Sequence, residues 1–173
     1  MRQLQAFTLT ALLVISFTAA AFAQGTPRKL SSHNDWDAMV AGSGSNKVCY
    51  VISVPKKTWI SRKGAIRGDI YMTVTHRPAF GVKDEVNVVV GYPIRQGSEA
   101  RINVDGQKNY QFFTEGSGAW AYDPKDDRSV VAAMKAGINL EVRATSQRGT
   151  NTRDTFSLRG FTAAYNAASR ACR

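Results

Sequence analysis

The chain has 173 residues, with 23 Lys and Arg against 13 Asp and Glu, a formal charge of +10, two cysteines and two histidines. That length supports one domain with a substantial core and excludes a multidomain machine. A hydrophobic share of 43% is too high for a disordered chain, glycine and charge interrupt it too often for a polytopic membrane protein, and the charge favours anionic company.

Residues 1–23 read as a secretory signal. Arg2 supplies the charged start, Leu4 to Phe22 carries no charge, and Ala21-Phe22-Ala23 places small residues where a signal peptidase cuts. Cleavage before Gln24 is therefore expected, with an uncleaved membrane anchor as the competing reading of the apolar stretch. The expected organisation is a cleaved signal over 1–23, a polar lead-in and loop over 24–46, and one β-rich domain over 47–173. No transmembrane segment is expected after cleavage.

In the lead-in, Trp36 is the apolar anchor, and Gly42-Ser-Gly-Ser-Asn46 is a loop. Lys47–Val54 is a β-branched run around Cys49, stopped by Pro55, and reads as a buried strand. The densest charge follows: Lys56, Lys57, Arg62, Lys63 and Arg67 surround Trp59 with no acid among them. As a loop between two strands this would form a basic projection able to meet phosphate, sulfate or carboxylate polymers. One reading uses Trp59 among the bases for stacking. The simpler one tucks Trp59 and Ile60 into the core and leaves the bases solvated.

Ile70, Met72 and Val74 alternate with Tyr71, Thr73 and Thr75, and Val86, Val88 and Val90 alternate through Glu85–Gly91, both strand patterns. Ile102 and Val104 lead into Asp105-Gly106, a hairpin signal because both central turn residues need φ > 0, and Tyr110–Phe113 resumes the apolar run. Asp126 and Asp127 are expected to cap a helix over Arg128–Ala136, with Val130, Val131 and Met134 inward and Gly137 ending it. Ile138, Leu140, Val142 and Ala144 alternate on a half-buried strand; a turn at Gln147–Asn151 leads to the returning strand of Phe156 and Leu158. Arg143, Arg148, Arg153 and Arg159 straddle this last hairpin. Phe161, Tyr165, Ala168 and Cys172 recur on one face of a C-terminal helix. About seven strands joined by hairpin-type loops predict a mainly β fold, an antiparallel β-sandwich or partly open barrel with one short helix and a C-terminal helix.

Two cysteines in an exported chain are first a disulfide. A Cys49–Cys172 bridge would enclose most of the domain and be worth about 4–5 kcal/mol in the chain-entropy model. A metal pair or reactive thiol is the rival, with no second Cys or His at ligand spacing from either. For catalysis, His33 lies in the lead-in and His76 ends a strand. No nucleophile elbow or triad spacing accompanies either, so His76 reads as a structural loop residue. Asp84-Glu85 and Asp126-Asp127 read as a turn and a helix start. No enzyme activity, cofactor or metal is expected.

Thr75-His-Arg-Pro78, Asp84–Pro93, Ala119-Trp-Ala121, Val131–Gly137 and Thr145–Ala164 occur in this order, with Ser157-Leu-Arg-Gly-Phe-Thr-Ala-Ala164 the most specific. From about Trp36 onward the chain resembles the invasion-associated locus B family of exported bacterial proteins. The resemblance implies a Gram-negative periplasmic or envelope location, a β-sandwich-like domain and, in pathogenic relatives, a part in entry into host cells. It brings no catalytic residues. Many members carry a cysteine shortly after the Trp matching Trp36, and Asp37-Ala-Met-Val-Ala-Gly42 has none. The expected function is a non-enzymatic envelope protein acting through protein or envelope contacts, with a role in invasion implied by the resemblance. The alternatives are a binding module for anionic envelope polymers, through the basic loop, and a Ser/Thr hydrolase using His76. No specific nucleic acid is expected.

Overall fold

The computed structural model describes residues 25–173; the secretory-signal reading of residues 1–23 lies outside the described residues. The strands are β1 (Arg28–His33), β2 (Trp36–Ala41), β3 (Val48–Ser53), β4 (Lys57–Ile60), β5 (Tyr71–Arg77), β6 (Val82–Val89), β7 (Ala100–Val104), β8 (Lys108–Glu115), β9 (Gly118–Trp120), β10 (Asn139–Thr145) and β11 (Asn151–Ser157). Helix α1 (Pro124–Ala136) lies between β9 and β10, and α2 (Phe161–Ala171) follows β11. All strands pair antiparallel in the order β1-β2-β3-β5-β6-β9-β8-β7-β10-β11-β4, and the two end strands do not close on each other. The mainly β, open antiparallel architecture with a C-terminal helix matches the sequence expectation.

The sheet curls strongly. Five inter-strand steps separate β6 from β11, about 24 Å in a flat sheet. One side chain nevertheless touches both. Arg67 donates to the carbonyl of Val90, just beyond β6, from Nε at 3.1 Å and Nη2 at 2.7 Å, and to both carboxylate oxygens of Asp154 on β11 at 2.7 and 2.6 Å. The turning point is β8, whose first half pairs with β7 and whose end pairs with β9. Trp36 Nε1 donates to the Ser157 carbonyl at 2.8 Å, joining β2 to β11 across the remaining gap.

The core follows from period-two alternation. Ala38, Val51, Val74, Val86 and Val88 are buried on one half of the sheet, and Ile102, Phe112, Leu140, Val142 and Phe156 on the other. Helix α2 packs on β1, β2 and β3, with Phe161 edge-on to Trp36 at 4.9 Å between centroids. Gly160 starts that helix at φ +87°, and a Cβ there would sit 1.9 Å from the His33 carbonyl oxygen, so only glycine allows the β1–β2 turn this close. At the other end of α2, Cys172 is bonded to Cys49 on β3, with a Cα–Cα distance of 5.9 Å across 123 residues of chain. The hairpin at Asp105-Gly106 has φ of 51° and 74°, as its turn chemistry requires.

Five elements depart from the expectations. The lead-in of 24–46 contributes β1 and β2 to the sheet. Ser31, Ser32 and His33 lie on a polar edge strand with no apolar alternation to read, whereas Trp36, Ala38 and Val40 do alternate inward. The segment expected as a basic loop begins with the short edge strand β4, and Gly118–Trp120 forms β9. Helix α1 starts before Arg128 because Asp123, not Asp126 or Asp127, is its cap. The Asp123 carboxylate accepts from the Lys125 and Asp126 amides at 2.7 and 2.9 Å, with Pro124 in the first turn. Asp127 is instead buried and accepts the Val86 amide at 2.8 Å. Burial first, then the nearby carboxylates of Glu85, Asp84 and Asp123, push its pKa up to about 6, opposed by the Val86 hydrogen bond.

Three outcomes follow from these contacts. Replacing both cysteines by Ala lowers the unfolding free energy by up to about 4–5 kcal/mol, read by denaturant titration with and without reductant. Arg67→Met strands the buried Asp154 carboxylate and costs about 3–5 kcal/mol, and adding Asp154→Asn recovers part of that loss. Asp127 keeps its proton to about pH 6 when folded, against an ordinary aspartate value of 3.8. The native state therefore binds the extra proton between those values, and stability falls as pH rises through that window. Asp127→Asn keeps an acceptor for Val86 and removes the charge, so its melting temperature gains on that of the parent as pH rises from about 4 to about 7. Identical pH dependence in the two proteins would contradict the assignment. His76, whose pKa is lowered chiefly by burial, acts with the opposite sign, losing stability as pH falls below its unfolded value, and does so in both proteins.

Candidate functional site

Inward alternation on β4, β11, β10, β7 and β8 leaves every second side chain on the solvent face. Register sets those side chains side by side. Trp59 stands opposite Arg153, Arg153 opposite Arg143, Arg143 opposite Arg101, and Arg101 opposite Gln111. Three arginines from three adjacent strands thus form one exposed row between a tryptophan and a glutamine. Like charges directly opposite one another weaken strand pairing, so folding alone does not favour such a row.

Its neutralisation is partial. Glu141, one row over, pairs with Arg143 Nε at 2.6 Å and reaches Arg153 Nε at 3.6 Å. The Arg153 guanidinium also lies over the Trp59 ring, 5.7 Å from its centroid. Arg101 has no ion pair among the described residues. The nearby Glu99 carboxylate is occupied by the Tyr122 hydroxyl at 2.6 Å. An open hollow of about 540 Å³ runs along the row, lined by Trp59, Glu99, Arg101, Gln111, Arg143 and Arg153 among others. Guanidinium groups here can engage carboxylate, sulfate or phosphate in bidentate fashion.

The residues singled out in the sequence do not form one projection. Lys57 and Trp59 lie on β4 beside the arginine row. Trp59 is 49% exposed, correcting the reading that buries it; in this pleat Ile60 takes the half-buried side. Lys56 pairs with Asp35 at 2.5 Å, and this contact is the main cause holding the Asp35 carboxyl below its ordinary range. Arg62 and Lys63 are exposed beyond β4, around a second hollow of about 670 Å³ shared with Ile66 and Arg148. Arg67 is turned inward onto Asp154 and is withdrawn from any solvent anion. Arg143 and Arg153, noted only as flanking the last hairpin, become the centre of the site. Arg101 escaped sequence reading; its signal was its place in Arg101-Ile-Asn-Val104, where Ile102 and Val104 point inward and Arg101 must point out.

His76 is a buried residue of β5 rather than a loop residue, 4% exposed. Its Nδ1 accepts the Asp84 amide at 3.2 Å, so the ring proton sits on Nε2, which faces Ser169 Oγ at 3.0 Å. The hydroxyl receives this hydrogen bond, the reverse of a nucleophile handing its proton to a base. Tyr165 donates its hydroxyl to Asp84 in the same network, and burial followed by that bond raises its pKa to about 12. These groups, beside the disulfide, anchor α2 to the sheet.

Among the described residues no helix is long and apolar enough to cross a membrane. No curated protein and no solved structure matches the chain. The family model of the invasion associated locus B (IalB) protein matches residues 36–169. That span runs from Trp36 at the start of β2 to Ser169 in α2 and contains the whole arginine row. A match over most of the chain settles its kinship: this protein belongs to the invasion associated locus B (IalB) family.

Proposed function

We propose that the protein is an exported, non-catalytic binding protein of the cell envelope, acting through contact of its basic sheet face with an acidic surface or polymer. The observation that carries this reading is the row Arg101–Arg143–Arg153, an arrangement that opposes strand pairing and is exposed on the solvent face. The expected export rests on the charged and apolar pattern of residues 1–23. The non-catalytic part is supported by the direction of the His76–Ser169 hydrogen bond and by the burial of that pair's imidazole. A contribution to host-cell entry, as the family's name suggests, would follow from such contacts. The basic rim of Arg62, Lys63 and Arg148 is a second, smaller surface of the same sign. This keeps the anionic-polymer reading of the sequence but moves its centre from the loop to the sheet.

The test is binding of purified lipopolysaccharide by the intact protein. Arg101→Gln, Arg143→Gln and Arg153→Gln together weaken it at least about tenfold, and binding by the parent falls steadily with added salt. Arg62→Gln with Lys63→Gln weakens it less. Unchanged binding by the triple variant, with its fold intact by circular dichroism, would remove the basis of the proposal.

A further inference from the structure

The arginine row does not end at Gln111. Two residues further along β8, on the same face, stands Phe113, paired in register with Trp120 on β9. Their rings stack at 5.8 Å, and Tyr122 tilts against Phe113 at 5.7 Å. Phe113 is 38% and Tyr122 56% exposed. The Trp120 indole lies flat on the sheet over Gly118, where a Cβ would sit 2.2 Å from its Cη2, so glycine is what lets the ring lie down. The Tyr122 hydroxyl is tied to Glu99, which lines the same hollow as Arg101. The cluster is therefore joined to the basic row.

The outer face thus carries Trp59 on β4, three guanidinium groups across β11, β10 and β7, and an aromatic platform on β8 and β9. From β4 to β9 there are five inter-strand steps, about 24 Å along the sheet. Exposed aromatic rings around a charged row mark a site for a ligand with both flat apolar faces and acid groups. The inter-strand step, about 4.8 Å, is close to the length of one sugar residue. A polymer bearing one acid per sugar would present an acid to each arginine in turn.

We propose that this face binds a linear acidic polysaccharide laid across the strands. Its acid groups meet Arg101, Arg143 and Arg153. Sugar rings rest on Trp59 at one end and on the Phe113–Trp120–Tyr122 platform at the other. The proposal rests on the basic face being the contact surface and names the class of ligand it takes.

The experiment measures binding of oligogalacturonates of increasing length to the intact protein by calorimetry. Single-stranded oligothymidylate and inorganic polyphosphate are run as competing probes. Affinity should rise with length until the chain spans the face, at about five or six sugars, and then level off. Trp59→Ala and Tyr122→Ala, both at exposed positions, should each weaken the longer oligomers about tenfold and leave the disaccharide nearly unaffected. Oligothymidylate or polyphosphate binding as tightly as the oligogalacturonates would overturn the glycan assignment while leaving the basic face as the contact surface. So would loss of binding in the arginine variant with no effect of either aromatic variant. If no probe binds, or the arginine variant binds like the parent, both the glycan assignment and the basic-face reading fail.

Discussion

The buried pair of Arg67 and Asp154 is the constraint on which the rest of the molecule turns. Desolvating two charges is expensive, and the geometry offsets it by filling both carboxylate oxygens and adding the Val90 carbonyl as a further acceptor. Next to it the Tyr92 hydroxyl and Thr152 Oγ1 share a hydrogen bond of 2.5 Å. Among the described residues no buried side-chain nitrogen or oxygen lacks a partner. The pair closes the curl between β6 and β11. It also sets the parity of β11, since an inward Asp154 requires Arg153 and Thr155 to face out. A slip of one residue would bury Arg153 and expose Asp154, so inner pair and outer row stand or fall together.

The helices are placed so that this outer row stays open. Helix α2 packs on β1, β2, β3 and β5, and α1 on β6 and β8. The disulfide and the Tyr165–Asp84–His76 network then hold α2 in that position. A histidine, a serine, a tyrosine and an aspartate join here in one hydrogen-bonded anchor. Among the described residues no helix packs on the outer face of β4, β11, β10 and β7, and it is where charge and aromatic rings meet solvent.

Much of this fold was legible in the chain. The alternation of Met72 and Val74, of Val86 and Val88 and of Leu140 and Val142 marked central strands. Asp105-Gly106 marked a hairpin, and the spacing of Phe161, Tyr165 and Ala168 marked the last helix. β1 and β4 were not legible, because edge strands expose both their faces in part and have no apolar period to betray them. Asp123-Pro124 is itself a readable helix start, a capping acid followed by proline in the first turn.

Sequence alone determined which side chains on each strand share a face, which turns reverse the chain, and that two distant cysteines would meet. The first two are local consequences of backbone period and turn dihedrals, and the third follows from the chain having two cysteines and no others. Only tertiary structure decided that Arg67 leaves its basic neighbours for a buried carboxylate 87 positions away, and that Arg101, Arg143 and Arg153 stand in one row. Strand order in this sheet is not chain order. Which residues become neighbours across strands depends on pairings spread through the domain, and no local period of the sequence encodes them.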